Sequence, residues 1–156
     1  AGRKARVQLP GAFGKVAGAI TIRRPREATL DDIERITQQF VTSARLAEQA
    51  GFDGVQIHGA HGYLLSQFLS KSGNLRTDEY GTNPQGRRRF LLEILRAVRQ
   101  ATSDTFVVGV KLNSKDSRTD GKEREDECID LIQELCSTGL LDFIELSGGS
   151  YEDLIF

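Results

Sequence analysis

The chain has 156 residues, 38% of them apolar and 28% charged, with a formal net charge of −1 and a pI near 6.2. This composition suits a globular domain with its own core; it excludes a disordered chain and leaves no charge-driven case for nucleic acid or an anionic membrane as partner. No apolar run approaches the ~20 residues of a membrane span and the N-terminal AGRKARVQLPG lacks an apolar signal core, so a cytoplasmic setting is expected.

Residues 1–28 show no clean periodicity and carry Pro10, Pro25 and several glycines, which reads as a loop with one short strand near 19–22. From Thr29 the pattern is helical. Thr29 can cap, Asp31 and Asp32 sit in a first turn where the helix dipole favours acids, and Ile33, Ile36, Phe40, Ala44 and Ala47 recur at helical spacing until Gly51. Residues 53–58 then read as a strand with Val55 and Ile57 on one face and Gly54, Gln56 and His58 on the other. A loop with His58, His61 and Tyr63 follows, and then a long polar loop to Tyr80.

After the Pro84 punctuation a helix is expected from Arg87, with Phe90, Leu91, Ile94, Leu95 and Val98 facing inward. Residues 106–112, FVVGVKL, form the near-continuous apolar run of a strand covered on both faces, with Lys111 at its carboxyl end. A polar loop over 113–122 leads to a helix over 123–137 with Cys128, Ile129, Ile132 and Leu135 inward, and residues 142–147 form a third strand before Gly148 and Gly149. Cys128 and Cys136 share that helix at roughly 12 Å, too far to bridge, so they are expected to be free thiols. The order helix, strand, helix, strand, helix, strand implies parallel crossovers: an α/β fold, one domain over 1–156, with 1–28 as loop and 29–156 alternating. A complete eight-fold barrel takes ~250 residues, so a barrel here would be partial.

Polar groups clustered past a strand end are where parallel α/β folds place their chemistry. Two imidazoles three residues apart can point at one oxygen and stabilise charge developing there, and a phenol two residues further on is a weak acid within reach. His58 and His61 also open a zinc reading, but this needs a third ligand, and neither HExxH nor a second cluster offers one; no metal is expected. Arg76, Asp78, Glu79 and Arg87 read as an ion network bracing the loop, with Tyr80 as packing.

The run GFDGVQIHGAHGYLLSQFLS, continued by Asn74, by 76–81 (RTDEYG) and by Arg87, Arg89 and Phe90, resembles the old yellow enzyme family of FMN-dependent NAD(P)H oxidoreductases. AGRKA resembles the segment after the third barrel strand, and GVKLN and FIELSGG the fifth and sixth strands. The resemblance implies a partial TIM (β/α)8 barrel, from after the third strand to the end of the sixth. It implies hydride transfer from NADH or NADPH through FMN to an activated alkene such as an α,β-unsaturated carbonyl, a small-molecule substrate. His58 and His61 then match the pair that binds the substrate's activating group, Tyr63 the catalytic proton donor, and Lys111 a cation beside the flavin that is often arginine. Thr82, Gln85, Gly86 and Lys71 depart from the family's usual loop residues, and the units that hold the FMN phosphate lie outside the matched segment. A part-barrel exposes sheet edges and apolar helix faces, which predicts self-association into a homo-oligomer; the alternative is a catalytically inactive piece acting in binding or assembly.

Overall fold

The computed structural model describes residues 26–114 and 122–148. The strand expected near 19–22, most of the 113–122 loop and Gly149 lie outside the described residues.

Helix α1 (Leu30–Gln49) starts as its sequence dictates. Thr29 and Asp32 form a reciprocal capping box, the Thr29 hydroxyl accepting from the Asp32 amide (3.2 Å) and the Asp32 carboxylate from the Thr29 amide (2.9 Å). It ends in a Schellman motif: Gly51, at φ 84°, donates to the Glu48 carbonyl and Phe52 to that of Ala47. Only a residue without Cβ takes that φ at no steric cost, so Gly51 sets where the chain turns into the sheet. Ile33 and Ala44 are buried, and Ile36, Phe40 and Ala47 pack against the core, as the helical spacing requires.

Strands β1 (Gly54–Gly59), β2 (Val107–Asn113) and β3 (Phe143–Ser147) form a parallel sheet in sequence order. The register aligns His58 with Lys111 and Lys111 with Glu145. Side chains alternate across the sheet. Ile57, Val108, Val110 and Leu112 meet the helices, while Gln56, His58, Lys111 and Glu145 share the opposite face.

Between β1 and β2 lie α2 (Leu64–Leu69) and α3 (Pro84–Ala101); α4 (Lys122–Thr138) leads into β3. Phe90, Leu91, Ile94, Leu95 and Val98 of α3 are at most 1% exposed and form the centre of the core, each burial contributing on the order of 1.5–3 kcal/mol. Arg99 of α3 donates to the carbonyls of Phe106 and Leu140 and to Asp142, whose carboxylate also accepts from the Val108 amide; one guanidinium thus locks α3 to the amino ends of two strands.

Four expectations need correction. Residues 64–69 are helical rather than loop, because Leu65 and Phe68 find buried places against the α3 face. α3 begins at Pro84, not Arg87: Asn83 caps it by accepting from the Gly86 amide, and proline fits a first turn whose amide has no helical partner. Arg87 does not brace the loop; it and Arg88 are buried and pair with Glu127 and Glu134 of α4 at 2.7 and 3.0 Å. On α4 the buried stripe is Leu131 and Leu135, and Ile129 is half-exposed. Arg76 does pair with Asp78 (2.5 Å), and Glu79 pairs with Arg89 (2.8 Å).

Candidate active site

The site grows from the carboxyl end of β1. Ala60 is fully buried, and His61 and Gly62 take φ values of 61° and 74°, the pair of positive angles of a type I′ turn closed by a Tyr63 amide to Ala60 carbonyl bond of 3.3 Å. Gly62 suits that geometry, and His61 does not: it is the one non-glycine with positive φ among the described residues, a conformation costing about 1–2 kcal/mol. Tyr63 then caps α2, its carbonyl accepting from the Gln67 amide.

This turn brings three rings together. The His58 and His61 centroids lie 5.2 Å apart at 70°, and those of His58 and Tyr63 5.1 Å apart at 54°. The His61 Nε2 meets the Ser147 hydroxyl at 2.7 Å, which ties the tip of the turn to β3. Its backbone amide donates to the Asn113 side chain of β2 at 2.9 Å. Lys111, beside His58 in the sheet, donates to Glu145 at 2.7 Å, and Gln56 donates to the other oxygen of the same carboxylate at 2.8 Å.

The electrostatics follow. His58 is exposed on the face of the sheet, yet partial desolvation of its ring lowers its pKa below the ordinary value, reinforced by His61 and Lys111 and opposed by Glu145, which favours the neutral form with an N–H to donate. Glu145 is held below the usual carboxylate range by the bonds from Lys111 and Gln56 and stays ionised. One face at the strand ends thus offers two imidazoles, a phenol and an ammonium beside a single carboxylate.

All four residues singled out from the sequence lie together at this strand end: His58 in ring contact with both His61 and Tyr63, and Lys111 one strand away. Sequence reading missed Asn113, Glu145 and Ser147, which arrive only through strand pairing; the alternation Lys111/Asn113 and Glu145/Ser147, at i and i+2 on strands, was the signal available. Among the described residues no group of three His, Cys, Asp or Glu side chains could hold a metal ion, and no helix is long and apolar enough to cross a membrane.

A cation at a strand end fits FMN, whose ring gains negative charge when reduced, and the imidazole N–H and phenol O–H groups beside it would be donors for an oxygen bound against that ring. Residues 5–151 match the sequence pattern of the NADH:flavin oxidoreductase / NADH oxidase family, whose flavin is FMN. An NADH-dependent flavin oxidoreductase of Hypocrea jecorina is 43% identical over 145 residues, covering 92% of this chain and 35% of that protein. Among solved structures, a 2-naphthoyl-CoA reductase in complex with 2-naphthoyl-CoA superposes with a TM-score of 0.77 at 32% identity, over 85% of this chain and 20% of that one. The Old Yellow Enzyme of Pichia sp. AKU4542 does so with a TM-score of 0.66 at 31% identity, over 78% and 34%. The chain therefore spans about a third or less of these relatives, and its parallel sheet with flanking helices is part of a TIM barrel. By its sequence and its fold, the chain belongs to the NADH:flavin oxidoreductase / NADH oxidase family.

Proposed function

We propose that this chain carries the substrate-facing groups of an FMN-dependent reductase that moves hydride from NADH or NADPH to an alkene conjugated with a carbonyl or similar electron-withdrawing group. The bound flavin supplies a two-electron carrier that accepts hydride from the nicotinamide and delivers it to carbon. This chain's side chains supply the groups around the substrate. His58 and His61 donate to the activating oxygen, where negative charge grows as hydride adds to the far alkene carbon; N–H donors already placed at that oxygen stabilise the charge as it develops. Tyr63 gives its phenolic proton to the other alkene carbon, so hydride and proton together saturate the double bond and the nicotinamide is oxidised. Lys111, steadied by Glu145 and Gln56, would sit beside the bound flavin and favour negative charge on its reduced form.

The observation that carries this reading is the convergence of the His58, His61 and Tyr63 rings at about 5 Å on the carboxyl end of a parallel strand. Tyr63→Phe tests it. Flavin reduction by nicotinamide is expected to be unchanged and alkene reduction to slow by about 10²-fold or more, both followed by stopped-flow absorbance. Equal slowing of the two half-reactions would mean that Tyr63 is not the proton donor.

A further inference from the structure

His61 is held in a conformation that its own chemistry disfavours, so something outside the turn must hold it. The turn's closing bond is long, at 3.3 Å, and cannot do this alone. Asn113, at the end of β2, reaches across 52 residues of sequence to supply the rest. Its side-chain oxygen accepts from the His61 amide at 2.9 Å. Its side-chain nitrogen donates to the Ser66 hydroxyl at 3.3 Å, and that hydroxyl accepts from the Gly62 amide at 3.2 Å. Both left-handed residues of the turn are therefore tied at their N–H groups, one directly and one through Ser66, which is itself 9% exposed. An amide side chain suits this post because it accepts on one side and donates on the other; a carboxylate or a hydrocarbon of the same size does only one or neither.

We propose that Asn113 is the positioning residue for His61, clamping the left-handed turn and so setting the spacing of the two imidazoles. Its consequence for turnover rests on the function proposed above; its consequence for the turn does not. Asn113 reaches the site through the His61 backbone directly and through the Gly62 backbone by way of Ser66.

Nuclear magnetic resonance on the protein tests this without flavin or alkene. Asn113→Ala is expected to shift the φ-sensitive amide to α-proton coupling of His61 and to speed exchange of its amide by about tenfold or more, the weight of one hydrogen bond. Asn113→Asp keeps the accepting oxygen and is expected to keep the His61 coupling. Ser66→Ala should speed exchange at Gly62 and serves if Asn113→Ala does not fold. Unchanged coupling and exchange in folded Asn113→Ala, or unchanged Gly62 exchange in Ser66→Ala, would overturn the proposal. In the flavin-loaded protein, the KM for alkene should rise about tenfold in Asn113→Ala with flavin reduction unaffected. A loosened turn with a normal KM would leave the clamp standing and count against the function assigned to His61.

Discussion

Asn74 is the side chain whose loss should most disturb the segment that follows Tyr63. It is 9% exposed, its side-chain nitrogen donates to the carbonyls of Phe68 and Tyr80 at 2.7 Å each, and its oxygen accepts from the Arg76 amide at 3.1 Å. It therefore closes the loop from α2 to α3 onto the end of α2. Asn74→Asp preserves size and the accepting oxygen but turns an oxygen toward two carbonyls that had a donor. Two lost bonds and two buried carbonyls left unsatisfied cost about 2–4 kcal/mol at pH 7, or a fall in Tm of roughly 4–15 °C for a chain of this size. The new carboxyl is easier to protonate when folded than when unfolded, so its folded pKa lies above the unfolded value of about 3.9. The sign follows: the penalty is complete above the folded pKa and shrinks as pH falls towards the unfolded one, where the acid O–H can donate to one carbonyl. Urea unfolding followed by circular dichroism, with variant and wild type compared at each pH from 3 to 7, measures the difference. A variant as stable as wild type at pH 7, or a difference that does not shrink with acid, would refute the reasoning.

Acid should also weaken the native protein. Asp32, Asp78, Asp142 and Glu145 are all held below the usual carboxylate range, by Arg26 and Thr29, by Arg76, by the Val108 amide and Arg99, and by Lys111 and Gln56 respectively. Their stabilisation is present above the unfolded pKa values of about 4 and is lost as pH drops through the folded ones, so the urea midpoint should fall steadily below about pH 5, and Asp142→Asn should flatten that fall. Between α3 and α4, Glu127→Ala strands the buried Arg87 charge and should cost about 1–3 kcal/mol, discounted for the partial exposure of Glu127; Arg87→Met, which removes a guanidinium whose Nε has no partner among the described residues, should cost less than about 1 kcal/mol or stabilise. A larger loss in Arg87→Met than in Glu127→Ala, by chemical denaturation, would reverse that assignment.

What could be read from the sequence was local. Thr29, Asp32 and Gly51 bound α1 because caps and a left-handed stop act within a few residues, and the apolar run before Lys111 declared a strand; the expected cover on both faces holds only on the helix side, where Val108, Val110 and Leu112 are buried, while Val107 on the other face is exposed. Helix α2 was hidden because six residues are too few to show a period, and Asn83-Pro84 looked like a break although that pair also opens a helix. On α4 the helical spacing picks out Leu135 correctly but not its partner: Leu131 meets the core, whereas the equally apolar Ile129 is half-exposed. The site divides the same way. His58, His61 and Tyr63 lie within six positions and are legible as a group, whereas Asn113, Glu145 and Ser147 join them only once β1, β2 and β3 pair in register.

The central claim is that this face of the sheet serves a flavin. The most direct measurement is the visible absorbance of the protein after incubation with FMN and removal of the excess, before and after anaerobic NADPH. The account predicts retained yellow absorbance that bleaches on reduction and is weakened in Lys111→Met. A protein that stays colourless, or that holds FMN equally well without Lys111 and is not bleached, would contradict it.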